Sequence, residues 1–181
     1  MVKSIIPKSL VAWRNWLEKN HQKEDKVFLI KYKKHTGKKI LSNADTMKEA
    51  ICFGWIDTTT KRLDEKRFQI CYVKRNSNSK WSYNTLKYGE ELIKEGRMSS
   101  FGLKMYKEGL KKKPHDYGIP KNPEMPSELK KALEKNKRAR EKYEKLAPST
   151  KKLHYRMILR AKRPETKEKR VKEIMAAMKL I

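Results

Sequence analysis

The sequence predicts an α+β fold: a small antiparallel sheet packed with helices, followed by a helical C-terminal unit. Three observations predict it. The longest uninterrupted apolar run, Ala50 to Ile56, is set in a heavily charged chain and ends at the carboxylate of Asp57. Such a run is a buried core element. Downstream, Arg67 to Val73 alternates, putting Phe68, Ile70 and Tyr72 on one face of an antiparallel return strand. Beyond Pro126 the apolar residues recur at helical spacing, as in Val171, Ile174, Met175 and Met178 at i, i+3, i+4 and i+7.

Each element rests on local signals. Ser9 precedes Leu10, Val11, Trp13, Trp16 and Leu17, which share helical spacing; Asn20-His21 closes that helix, and Trp13 is its core anchor. Val27 to Tyr32 is rich in β-branched and aromatic residues and predicts a strand. His35 to Lys38 is a turn. Ser42 starts a helix over 43–53 with Met47, Ala50 and Ile51 on one face. Gly54 ends it, because glycine takes the left-handed conformation at little cost. A strand then runs from Trp55 to about Arg62, and Leu63 to Lys66 turns the chain into the return strand. Lys74 to Ser79 is a polar loop. Ser82 caps a helix that Gly96 ends, and Ser99-Ser100 opens another that stops at Pro114. His115 to Pro126 contains Gly118, Pro120, Pro123 and Pro126, the composition of a linker. Ser127 caps a lysine-rich helix with Leu129, Ala132 and Leu133 on one face; Pro148-Ser149 and Arg163-Pro164-Glu165 start two more. The expected organisation is a core domain over 1–113, a Pro-rich linker over 114–126 and a basic helical unit over 127–181.

Charge bounds the function classes. The 181 residues hold 47 Lys+Arg against 21 Asp+Glu, a net charge of +26. The excess is spread along the chain and is densest at the end, where residues 149–181 carry +8. An anionic partner is the physical implication: nucleic acid, an acidic protein or an anionic membrane. A basic surface suited to the host's salt or temperature is the competing reading. Cys52 and Cys71 make neither a disulfide framework nor a zinc set; both lie in apolar contexts, so buried free thiols and a reducing cytoplasm are expected. Met1 to Val11 lacks the continuous apolar region of a signal peptide, and no run approaches the ~20 apolar residues of a membrane span. His21, His35, His115 and His154 are scattered, no phosphate loop is present, and Ser79 and Ser82 are loop and cap residues. No metal or cofactor is therefore expected, the sequence identifies no catalytic residue, and the balance leans away from an enzyme.

Two constellations remain. Asp57, Asp64, Arg67, Arg75, Trp81, Asn84 and Arg97 fall near strand ends and helix starts. They form either an ion-pair network that fixes the hairpin and its adjoining loop, or a pocket for a small anion with Trp81 as its stacking wall. Lys152, Arg156, Arg160 and Arg163 recur at i, i+4, i+8 and i+11, with Leu153, Met157, Ile158 and Ala161 on another face. Four cations on one side of a helix can track a phosphate backbone, or can be a solvated face. Only Tyr155 is at hand for stacking, so base-specific reading is not expected.

The chain resembles the YdeI/OmpD-associated proteins, often called bacteriocin-protection proteins. Trp13 and Trp16 to His21 are similar to the family's opening, Ala50 to Asp57 to its central motif, and Leu63-Asp64 with Arg67 to the short motif beyond it. Ser79 to Asn84, Gly96-Arg97-Met98, Leu146 to Ser149 and Ala161 to Thr166 extend the resemblance along most of the chain. Two positions depart: Lys74 precedes Arg75 where the pattern has Pro, and Lys167 comes after Thr166 where it has Arg. Lys is a point charge, so the second change argues against a bidentate anion fork there. The resemblance implies a small cytoplasmic, non-enzymatic protein linked to bacteriocin resistance or stress that binds an anionic partner. The alternatives are a ligand-binding domain or enzyme using Asp57, Arg97 and Trp81, and a non-specific nucleic-acid binder working through the C-terminal helices.

Overall fold

The computed structural model describes residues 2–38 and 40–180. The fold is α+β, with a four-stranded sheet and a helical C-terminal region. The chain divides into two compact units, Met1–Pro114 and His115–Ile181.

The first unit contains β1 (Lys3–Ile5), α1 (Leu10–Asn20), β2 (Lys26–Tyr32), α2 (Asn43–Cys52), β3 (Trp55–Arg62), β4 (Arg67–Lys74), α3 (Tyr83–Lys94) and α4 (Ser100–Leu110). The sheet order is β1-β2-β4-β3. β2 and β3 both run antiparallel to β4, and the β3–β4 hairpin is the pair that the return strand predicts. β1 runs parallel to β2, from Lys3↔Val27 to Ile5↔Leu29, and makes the sheet mixed. At three residues it is too short for alternation to reveal. Pro7, with no N–H to give to a ladder, comes soon after.

The central segment does what its composition predicts. The Ser42 Oγ accepts from the N–H groups of Ala44 and Asp45 and starts α2. Gly54, at φ +69°, turns the chain out of α2 into β3; a Cβ there would lie 2.7 Å from the Phe101 ring. Trp13, Leu17, Val27, Leu29, Ala50, Ile51, Trp55, Tyr72 and Leu92 are the fully buried centre. Trp13 stacks on Trp16 at 5.5 Å, and Trp16 meets Trp55 edge-on at 5.9 Å. Trp13 and Trp55, both fully buried, also find acceptors: Trp13 Nε1 donates to the Thr46 carbonyl and Trp55 Nε1 to the His21 carbonyl.

The second unit consists of α5 (Ser127–Glu134), α6 (Lys137–Glu144), α7 (Pro148–Leu159) and α8 (Pro164–Leu180), one helix more than the periodicity predicts. Asn136 is the reason: it is extended at φ −141°, and its side chain caps a new helix by accepting from Ala139 N–H. Ser127 is the first residue of α5 and makes no cap; Pro126 holds the cap position. Leu129, Leu133, Ala139, Tyr143, Ile158, Val171, Ile174 and Met178 form the core of this unit. Leu153, expected on the apolar face of α7, is 61% exposed. No helix among the described residues is long and apolar enough to cross a membrane.

Candidate functional site

The structure distributes the seven candidate residues of the first constellation. Asp64 and Arg67 stay at the hairpin tip. The Asp64 carboxylate accepts from Lys66 N–H, Arg67 N–H and Arg67 Nε, the last at 2.7 Å, and so builds the turn. The Arg67 bond holds its pKa below the ordinary carboxylate value. Asn84 is exposed on the first turn of α3. That helix is fixed by a capping box, in which Ser82 Oγ accepts from Thr85 N–H and Thr85 Oγ1 accepts from Ser82 N–H.

Arg97 belongs to a second group that the sequence does not advertise. It pairs with Glu95 and with Glu49, and Arg14 Nη1 bonds the other oxygen of Glu49 at 2.8 Å. Glu49 is only 3% exposed, on a helix whose neighbours Ala50, Ile51 and Cys52 are core. Arg14 also donates to the Arg97 carbonyl and lies over the Phe53 ring at 5.1 Å. One buried carboxylate thus gathers two guanidinium groups, each about a third exposed. The charge of Glu49 is neutralised within the protein by Arg14 and Arg97. Beside it the Cys52 thiol is pushed up by burial and by Glu49, with Arg14 and Arg97 opposing the shift.

Arg75 and Trp81 do come together, with the Asp57 carboxylate near enough to act on the guanidinium through space. Arg75 leaves the end of β4 with its N–H on the Gly54 carbonyl at 2.8 Å. Its guanidinium carbon lies 3.6 Å over the Trp81 ring, and Nη1 donates to the Lys80 carbonyl at 3.0 Å. The residue is 3% exposed, yet Nε and Nη2 have no hydrogen-bond partner among the described residues. Burial lowers its pKa and the nearby Asp57 carboxylate raises it. Nε and Nη2 form one edge of the guanidinium fork, the edge that grips an oxyanion with two parallel bonds. Asp57 sits half-buried on β3, at the start of an irregularity in the β3–β4 register.

In the second unit the cationic stripe divides. Lys152 Nζ donates to Asn122 Oδ1 at 2.6 Å. Arg156 donates to the Pro120 carbonyl and pairs with buried Asp116 at 3.1 Å. Both therefore tie α7 to the segment before α5. Arg160 and Arg163 are exposed, on the turn between α7 and α8. Lys167, where the motif expects Arg, pairs with Glu128 at 2.8 Å.

Known families divide the chain in the same way. Residues 5–105 match the family model described as a domain of unknown function (DUF8412). This span is more than half of the chain, and the chain belongs to that family. Residues 122–180 match the model described as bacteriocin-protection, YdeI or OmpD-associated. The motifs from Leu146 onward thus lie in the part that matches the YdeI/OmpD-associated model, while those from Trp13 to Met98 lie in the other. No curated protein and no solved structure matches the chain significantly.

Proposed function

We propose that the protein is a non-enzymatic binding protein of the bacteriocin-protection type, acting in the cytoplasm in resistance or stress by holding an anionic partner. The observation that carries this reading is the buried Arg75 fork, whose Nε and Nη2 lack an acceptor among the described residues while its face rests on Trp81. A buried donor left unpaired costs about 1–3 kcal/mol, more for a charged group, so a ligand that supplies two acceptors there gains affinity. The net charge of +26 would draw such an anion in, and the free buried thiols Cys52 and Cys71 suit a reducing compartment. The test is titration with inorganic phosphate and with citrate, monitored by tryptophan fluorescence and calorimetry. Arg75→Gln loses the response, and Arg75→Lys recovers only part of it, because an ammonium cannot bridge two oxygens in a plane. Equal binding by Arg75→Gln would rule this seat out. A second reading, weak binding to duplex nucleic acid, is supported by exposed Arg160 and Arg163 alone.

A further inference from the structure

The end of the sheet where β1 stops holds a cavity that neither family description assigns. Its volume is about 370 Å³, the scale of a small-molecule site. Ile6, Pro7, Ile30, Ile40 and Leu41 give it apolar walls, and Lys8 and Lys38 are exposed on its lining. Lys31 also lines it and is 4% exposed. Alternation along β2 forces Lys31 inward, onto the face that carries Val27 and Leu29.

The polar groups around Lys31 are specific. Its Nζ donates to Asn43 Oδ1 at 2.6 Å and to Thr46 Oγ1 at 3.4 Å, and the Tyr72 hydroxyl donates to the same Thr46 oxygen. Lys31 has no ion pair among the described residues. An ammonium has three N–H donors, and these two acceptors take two. Burial lowers the amine's pKa to about 8, with Asp45 opposing the shift. A buried cation with no carboxylate in ion-pair contact is costly, and an incoming anion would relieve that cost.

We infer that this cavity is a binding site for a small carboxylate with an apolar tail, its carboxylate on Lys31 and its tail against Ile6, Ile40 and Leu41. The site is independent of Arg75. Octanoate, titrated by calorimetry at pH 7, is the probe, and octanol is its neutral control. Octanoate binds about tenfold or more tightly than octanol, the scale of one charge-assisted hydrogen bond. Lys31→Met keeps the aliphatic stem, removes the charge and abolishes that preference, whereas Arg75→Gln keeps it. Ile40→Trp fills the cavity from a loop without touching the amine; it loses octanoate binding with an unchanged melting temperature, and it decides the matter if Lys31→Met does not fold. Equal affinity for octanoate and octanol, octanoate binding retained by Ile40→Trp or a folded Lys31→Met, or no binding of octanoate by the wild type at millimolar concentration would each overturn the inference.

Discussion

The Gly102 backbone lies directly against the Cys52 carbonyl: a Cβ on residue 102 would stand 2.7 Å from the carbonyl carbon and closer still to its oxygen. The contact brings α4 onto the C-terminal end of α2. Ser99 reinforces it, since its N–H and its Oγ both donate to the same Cys52 oxygen at 2.9 Å. The Cβ position is set by the backbone and the atoms it meets are backbone, so no rotamer change can relieve the clash. Gly102→Ala is expected to destabilise by about 3 kcal/mol or more, the upper range of overpacking. Urea denaturation checks this; a loss below about 1 kcal/mol would show that α4 shifts freely on α2.

Trp55→Ala should cost about 3–5 kcal/mol, because the side chain is fully buried and its indole N–H is bonded. A thermal melt near that of the wild type would remove the segment from the core.

The Glu49 group predicts unequal losses from its three members. Glu49→Ala leaves Arg14 and Arg97 facing each other without their shared carboxylate. Removing one partner of a fully buried pair costs about 3–5 kcal/mol, and the partial exposure of both cations reduces this to about 2–3. Arg14→Gln and Arg97→Gln each leave Glu49 one guanidinium and should cost about 1 kcal/mol. Chemical denaturation of the three variants and the double Arg variant gives the coupling directly. Equal losses for all three single variants would contradict the shared geometry.

This group also shows where sequence reasoning stops. The run from Ala50 to Asp57, the turn at Gly54 and the strand pair after it are legible, because they rest on local composition and glycine conformation. Glu49 is not, since its partners lie 35 and 48 positions away and no periodicity marks a buried carboxylate. Lys31 does leave a signal: in Val27-Phe28-Leu29-Ile30-Lys31 it shares parity with two core residues. Seven residues near strand ends suggest one constellation, but the structure splits them: Arg75 meets Trp81 with Asp57 nearby, Asp64 and Arg67 pair with each other at the hairpin tip, and Arg97 pairs with Glu49 and Glu95. Sequence proximity to a strand end does not specify which face a side chain takes. β1 and the break at Asn136 depend on tertiary pairing and on one cap, and neither leaves a pattern long enough to count.

Lys31 gives the stability curve an alkaline component. Its folded pKa, about 8, lies below its unfolded value of 10.5. Between these values the unfolded chain binds more protons, so stability rises with pH across that window. Below pH 8 the full cost of burying the ammonium is present. Each unit of separation corresponds to about 1.4 kcal/mol. Lys31→Met should be more stable than the wild type at pH 7 and lose that advantage by pH 10.5. Surface lysines and tyrosines titrate in both proteins, so the difference between the two urea curves isolates this group. A difference that is flat from pH 7 to 10.5 would show that the amine is solvated.

The last prediction separates the two halves of the cationic stripe. Counterion release gives a log–log salt slope of about −0.9 per phosphate neutralised on duplex DNA. Lys152 and Arg156 are held by Asn122, Pro120 and Asp116, so they are poorly placed to reach a phosphate. Arg160 and Arg163 are exposed and have no ion pair among the described residues. Replacing Arg160 and Arg163 by Gln should therefore flatten the slope by about 1.8, with the melting temperature held within about a degree, because exposed charges contribute little to stability. Replacing Lys152 and Arg156 by Gln should do the reverse. The slope stays near that of the wild type, and stability falls by about 1–3 kcal/mol as buried Asp116 loses its bond to Arg156. With +26 net charge some binding at low salt is expected of the wild type in any case, so the comparison of slopes decides. If the inner pair carries the slope and the outer pair does not, α7 opens on the nucleic acid and the Asp116–Arg156 bridge is a ligand-sensitive contact rather than a fixed tie.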